Sequence, residues 1–258
     1  DITKVEGELE VEPADISTGM EQAWEVTLGA SLTYNGIAQV QALSSVRFKG
    51  LDVDYSVTGN QQKDAGDYEL TLIGQGNFTG EKKVAWSIAK KPITITAKSV
   101  TRPYDGNVLM SWNSTTEGMV QGEDAGAMTC TGNIKDVGSC GNAIAQLWWA
   151  DNTKPSNYSV TKVAGTLTIT PRPVTVTSKN ITKPFDGTPL TLQSSDIYTE
   201  GIVIGEKFYY TDLASRTEAG QTSATFKIIT LDNTKLTNYA ITPVYGTITI
   251  TKSATEIG

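Results

Sequence analysis

A chain of 258 residues and 27.6 kDa exceeds the roughly 100 to 200 residues of a typical domain, so two or three compact units are expected. With 21 basic against 28 acidic side chains the net charge is −7, which opposes phosphate neutralisation and argues against nucleic acid as a partner. The chain has no histidine, which removes Ser-His-Asp and Cys-His nucleophile pairs, imidazole bases and histidine metal ligands. Its two cysteines cannot form a four-thiolate zinc site. No catalytic residue, metal or cofactor is expected, and the composition points to a binding or structural protein.

The opening Asp1-Ile2-Thr3-Lys4-Val5-Glu6 has neither the basic start nor the apolar run of a signal peptide. No stretch reaches the ~18 apolar residues of a membrane helix, so the chain reads as soluble, with no membrane insertion. If it comes from a surface protein, it is a fragment of something longer. Residues 4–13, Lys4-Val5-Glu6-Gly7-Glu8-Leu9-Glu10-Val11-Glu12-Pro13, align with Lys162 to Pro171. They are either the last strand of a missing upstream repeat or part of the first domain's own sheet. The second is favoured, because an unpaired strand edge is poorly ordered or aggregation-prone.

Further along, the chain repeats itself. Residues 90–98 with Arg102-Pro103-Tyr104-Asp105-Gly106 return 81 positions later as residues 171–179 with Lys183-Pro184-Phe185-Asp186-Gly187. Asp151-Asn152-Thr153-Lys154 and Asn157-Tyr158 return at the same offset as Asp232-Asn233-Thr234-Lys235 and Asn238-Tyr239. Residues 165–170 return as 246–251. A shorter copy precedes both: Tyr34-Asn35-Gly36 stands for the aromatic-Asp-Gly turn, Asp64-Ala65-Gly66 for Asp136-Val137-Gly138 and Glu218-Ala219-Gly220, and Asn77-Phe78 for the Asn-Tyr pairs. The repeats are therefore placed at 1–89, 90–170 and 171–258.

Within each repeat apolar residues alternate with threonine or polar ones, as in Ile93, Ile95 and Ala97, or Tyr68, Leu70 and Leu72. Turn pairs such as Gly59-Asn60, Asp105-Gly106 and Asp186-Gly187 separate the runs, and no dozen-residue window carries a helical stripe. The expected class is all-β, a tandem array of three small sandwiches. Proline-bearing junctions at Pro13, Pro92, Pro171 and Pro173 read as stiff connectors, so the array is expected to be an elongated rod.

In their order and period, the aromatic-Asp-Gly turn, the Asp/Glu-Val/Ala-Gly, the Asn-Tyr and the closing Gly-Thr-Leu/Ile-Thr-Ile-Thr resemble the YDG or MBG-type bacterial Ig-like repeats of surface adhesins. The resemblance covers residues 90–251, with 31–89 as a shorter relative; Phe185 and Asn35 depart mildly from the pattern. It implies Ig-like sandwiches in an extracellular, surface-attached stalk that spaces an adhesive domain from the cell, with no conserved catalytic residue.

Tyr34, Tyr104 and Phe185 are read as aromatic plugs at one end of each core, with Gly36, Gly106 and Gly187 supplying positive φ and Asn35, Asp105 and Asp186 capping Asx turns. Sugar stacking by these aromatics ranks well below that reading. So does calcium at Asp105 or Asp186 with Glu123, because hard cations want six or more oxygens. Cys130 and Cys140, ten residues apart, are placed on neighbouring strands of one hairpin and expected to form a disulfide, stabilising by roughly 2 to 3 kcal/mol in the chain-entropy model. Lys98 and Lys179 with Asn157 and Asn238 suggest isopeptide crosslinks, but no acid is placed to assist, and solvated lysines are the stronger reading. Trp148 and Trp149 have no aromatic counterpart in the other repeats. Strand alternation sends Leu147 and Trp149 inward and Trp148 outward, making Trp148 the candidate ligand contact, although packing under residues 151–156 or against a neighbouring unit ranks above binding.

The leading function is a non-enzymatic stalk or adhesin module, monomeric, whose partners are neighbouring repeats of the same chain. The alternative is recognition of a host glycan or extracellular-matrix protein through exposed aromatics. A third is an accessory domain of a glycoside-acting enzyme, since glycosidases need only two carboxylates.

Overall fold

Threonine-spaced apolar residues make strands that bury one face. In Lys91–Ala97 the buried side chains are Ile93, Ile95 and Ala97, and in Arg172–Ser178 they are Val174, Val176 and Ser178, the same alternating pattern 81 residues on. Ser178 takes the buried place of Ala97 because its hydroxyl is fully engaged, donating to the Ala224 carbonyl at 2.8 Å and accepting from the Gly246 N–H at 3.0 Å. The computed structural model describes residues 11–17, 23–231 and 233–252. Most of the 4–13 segment therefore lies outside the described residues.

The structure is all-β; the helical elements among the described residues are short 3₁₀ turns such as Pro155–Asn157, Ser194–Asp196 and Leu236–Asn238. The chain packs as two compact units that divide it along different lines from the sequence period. Unit 1 takes 1–96, 114–129 and 145–163; unit 2 takes 97–113, 130–144 and 164–258. Each unit thus combines strands of two sequence repeats.

In unit 1 a four-stranded sheet runs in the order Leu32–Thr33, Glu81–Ala89, Gly66–Gly74, Tyr55–Thr58, and a three-stranded sheet runs Trp24–Leu28, Leu43–Phe48, Leu51–Asp52. Their inward residues include Val46, Phe48, Leu70, Leu72, Trp86 and Ile88, all buried. The second repeat contributes Lys91–Ala97, parallel to Tyr158–Val163 with Lys91 opposite Tyr158.

Unit 2 repeats that parallel pairing, with Arg172 opposite Tyr239, and adds a sheet of Ile181–Pro184, Thr247–Thr251 and Gly220–Ser223. The second repeat supplies the matching sheet of Val100–Pro103, Gly165–Thr170 and Gly138–Asn142. One hydrophobic cluster runs through both repeats, from Tyr104, Leu109, Leu167 and Ile169 to Val174, Val176, Phe226 and Ile248. Burial that continues from one repeat into the next ties their stabilities together.

The expected disulfide is not formed, and both cysteines are free. The hairpin assumed for them does not exist: Cys130 ends the strand Met128–Cys130, whereas Cys140 lies in Gly138–Asn142, which belongs to a different sheet and faces Leu167. The Cys140 thiol instead donates to the Asn133 carbonyl at 3.6 Å, and burial pushes the Cys130 thiol above its ordinary pKa.

Candidate functional site

Each unit holds one polar cluster where two sequence repeats meet, and the two clusters use matching residues. A turn closed by the Glu123 N–H on the Val120 carbonyl (3.0 Å), with Gly122 at φ +87°, projects Glu123. The same turn, Val203 to Glu206 with Gly205 at φ +90°, projects Glu206. In unit 1 the Tyr34 hydroxyl donates to Glu123 Oε1 at 2.5 Å and the Tyr158 hydroxyl to Glu123 Oε2 at 2.5 Å. In unit 2 Tyr104 donates to Glu206 Oε1 at 2.5 Å and Tyr239 to Glu206 Oε2 at 2.7 Å. The paired tyrosine rings meet edge to face, with centroids 5.5 and 5.6 Å apart.

Beside each Tyr–Glu–Tyr set lies an Asp–Lys–Asn set. The 3₁₀ turns Pro155–Asn157 and Leu236–Asn238 follow Lys154 and Lys235, and residues three apart eclipse in such a turn. Lysine and asparagine therefore reach the same carboxylate of the preceding repeat. Lys154 Nζ donates to Asp64 Oδ2 (2.6 Å) and Asn157 Nδ2 to Asp64 Oδ1 (2.8 Å); Lys235 and Asn238 donate to Asp136 at 2.5 and 2.9 Å. The asparagine oxygens accept the backbone N–H of Ala65 and of Val137, both at 2.9 Å. Asn157 and Asn238 are buried, so each amide is used on both sides within the fold.

The electrostatics follow from this wiring. Burial, then the hydrogen bond to the glutamate, pushes Tyr34 and Tyr104 up to about 12, and the same causes raise Tyr158 and Tyr239. Lysine first and asparagine second hold Asp64 and Asp136 below the usual carboxylate range. Each cluster thus joins side chains of two sequence repeats through charge-assisted hydrogen bonds.

Tyr34 and Tyr104 are 2% exposed and pack on the tyrosine of the following repeat, whereas Phe185 is 38% exposed. The turns beside them carry the Asx bonds: Asn35 accepts from the Ile37 N–H (3.1 Å), Asp105 from Asn107 (2.9 Å) and Asp186 from Thr188 (2.9 Å), with Gly36, Gly106 and Gly187 at φ +85°, +81° and +79°. Asp105 also pairs with Arg102, and Asp186 with Lys183 at 2.8 Å. Among the described residues no three carboxylate or thiol groups are placed to hold a metal. Lys98 and Lys179 are exposed. Trp148 is 50% exposed, while Trp149 stacks on Tyr158 with centroids 5.7 Å apart.

Sequence reasoning placed Glu123 only in a possible calcium set and did not single out Glu206. The two glutamates are 83 residues apart, two out of step with the 81-residue blocks; the recurring Gly-Glu dipeptides, Gly122-Glu123 and Gly205-Glu206, were the available signal. Unit 2 also has a cleft of about 590 Å³ next to its cluster, lined by Tyr104, Lys135, Glu206, Lys207, Tyr209 and Lys235 among others. No protein-family model matches the chain, and no curated protein matches it.

Proposed function

We propose that the chain is a non-enzymatic structural stalk or adhesin module of a bacterial cell-surface protein, in which three Ig-like sandwiches in tandem space or present an adhesive domain outside the cell. The observation that carries this reading is the twofold recurrence of the Tyr–Glu–Tyr and Asp–Lys–Asn clusters. A spacer needs neighbouring repeats held in a fixed relation, and these clusters, together with a hydrophobic core that crosses from one repeat to the next, supply it. The resemblance to YDG/MBG-type repeats supports the cellular setting. Small-angle scattering on dilute protein tests the reading: an elongated particle is expected, and the profile of one compact 258-residue globule would overturn it.

A second reading, recognition of a host glycan or matrix protein, is favoured by the half-exposed indole of Trp148. Under that reading Trp148→Ala leaves the melting temperature unchanged and reduces binding on a glycan or matrix-protein array. Under the stalk reading the substitution affects stability alone.

A further inference from the structure

The frame around the Tyr–Glu–Tyr cluster is closed in unit 1 and open in unit 2. In unit 1 the Asn152 amide donates to the Gly122 carbonyl at 2.6 Å, and Asp124 Oδ1 accepts the Gly126 N–H at 3.2 Å. A Cβ on Gly126 would collide with the Trp148 carbonyl. The glutamate turn is thus tied across to Asn152, Asp124 is engaged in its own turn, and backbone fills the place where a side chain at 126 would go. Counted from Glu123 and Glu206, the same two places in unit 2 hold Lys207 and Tyr209, while Asn233 stands for Asn152. The backbone keeps its wiring: Thr153 Oγ1 accepts the Asp124 N–H at 3.0 Å and Thr234 Oγ1 the Lys207 N–H at 3.4 Å. The tie across is missing, however. Among the described residues the Asn233 amide has no hydrogen-bond partner, and Gly205, Lys207, Tyr209 and Asn233 stand around the cleft of about 590 Å³.

The exchange also reverses the local charge. At the unit 2 cleft three lysines, Lys135, Lys207 and Lys235, face two acids, Asp136 and Glu206. The matching residues of unit 1 are two lysines, Lys63 and Lys154, against three acids, Asp64, Glu123 and Asp124. Asp151 and Asp232 stand at matching places and leave that difference unchanged; Asp232 lies outside the described residues. Lys235 and both acids are engaged within the cluster, whereas Lys135 and Lys207 make no ion pair among the described residues. In a chain of net charge −7, two uncompensated lysines at one cleft favour an anion there.

The rest of the lining selects the kind of anion. Lysine is a compact, hydrated point charge that suits a carboxylate without demanding the two-pronged geometry of arginine. Tyr209 is 38% and Leu231 50% exposed, so both offer apolar surface beside that charge, and the Asn233 amide offers a donor and an acceptor. A hydroxylated ring with one apolar face and a carboxylate meets all three, and the volume accommodates roughly one or two such rings. We propose that this cleft is a binding site for an acidic saccharide, a uronic-acid sugar whose carboxylate is met by Lys135 and Lys207 and whose ring packs on Tyr209. The site uses no residue of the Trp148 reading and stands independently of the stalk reading.

Amide NMR titration of the full chain with a linear tetragalacturonate tests it. Shifts are expected at Lys135, Lys207, Tyr209 and Asn233, with binding weakened by added salt. A neutral glucan of the same length should bind about tenfold more weakly or worse. Lys207→Asp, which installs the unit 1 residue, and Tyr209→Ser should each weaken binding about tenfold and leave the melting temperature unchanged, since both positions are exposed. Lys63→Ser, at the matching place in unit 1, should bind like the parent. Monomeric galacturonate that binds as tightly as the tetramer identifies a free sugar acid as the ligand, and a tighter tetramer a polysaccharide; both support the site. Absence of binding overturns the proposal, as do equal affinity for the neutral glucan, Lys207→Asp or Tyr209→Ser chains that bind like the parent, or a Lys63→Ser chain weakened as much as they are. Acetate that reproduces the same shifts at the same concentration marks an adventitious ion only and overturns it as well.

Discussion

The cluster of unit 1 and that of unit 2 are built from the same atoms, and their corresponding hydrogen bonds differ by no more than 0.2 Å. Their surroundings differ much more. In unit 1 Trp149 lies flat against Tyr158, while in unit 2 Phe208 meets Tyr239 edge-on at 5.2 Å. Asp124 follows the glutamate in unit 1, and Lys207 follows it in unit 2. Buried donors and acceptors hold their geometry because an unmet partner costs more than a net hydrogen bond gains, whereas apolar neighbours can be exchanged if volume is kept. The lasting element of the repeat contact is therefore its hydrogen bonding, and the aromatic packing around it is free to vary.

The strongest way to break that equivalence is to remove one glutamate. Glu206→Leu strands the hydroxyls of Tyr104 and Tyr239, and a loss of about 2 to 4 kcal/mol is expected from thermal or denaturant unfolding. Glu123→Leu should cost a similar amount through Tyr34 and Tyr158. Adding Tyr104→Phe and Tyr239→Phe to Glu206→Leu should return most of the stability, since no polar group is then left unpaired. If the triple variant is no more stable than Glu206→Leu, hydrogen-bond satisfaction is not what the glutamate supplies.

Next in size is Asn238→Ala, which leaves the Val137 N–H and one oxygen of Asp136 without their partner. About 1 to 3 kcal/mol should be lost, and the Val137 amide should lose hydrogen-exchange protection. Asn157→Ala should do the same to Ala65 in unit 1. Protection that persists at both amides would show that the asparagines do not hold the neighbouring repeat.

These residues show what the sequence could reveal. Alternation in residues such as Ile93, Ile95, Val174 and Val176 made the strands legible, because side-chain period and backbone pleat are the same physical fact. The recurring Lys and Asn-Tyr blocks were visible too, but a repeat register reports that positions match and not what they touch. Tyr34 and Tyr104 read as plugs of their own cores, although their hydroxyls reach the following repeat. The change from tyrosine to Phe185 reads as a mild departure, yet Phe185 is 38% exposed where Tyr34 and Tyr104 are buried. The cysteine pairing is not legible because proximity along the chain does not give strand adjacency: Cys130 and Cys140 lie in different sheets, and sheet assignment depends on long-range pairing that no local pattern encodes.

A smaller and pH-dependent effect separates the tyrosines from the acids. Tyr34 and Tyr104 stand at about 12 in the fold against about 10 in an unfolded chain. The folded state thus keeps its proton longer, and the stability this confers is present below pH 10 and lost as pH rises through 12. Ultraviolet titration should show a fraction of tyrosine ionising late, together with alkaline unfolding. Tyr34→Phe with Tyr104→Phe should reduce that late fraction, and an unchanged titration would place the late phenols elsewhere.

The smallest expected effect is that of Lys235→Met, and it distinguishes the two partners of Asp136. The Lys235–Asp136 pair is 58% and 43% exposed at its side chains, so solvent screens it and little stability is expected from it at physiological salt. Asn238, by contrast, is buried and binds the same carboxylate. The depressed pKa of Asp136 means the folded state holds its proton less tightly than the unfolded chain. The corresponding stability is present above the ordinary carboxylate pKa and fades as pH falls through the folded value. Lys235→Met should narrow that acid window slightly at low ionic strength and have almost no effect at high salt, while Asn238→Ala should lower stability at every salt concentration. If Lys235→Met costs as much as Asn238→Ala at high salt, the surface ion pair, and not the buried amide, joins the repeats.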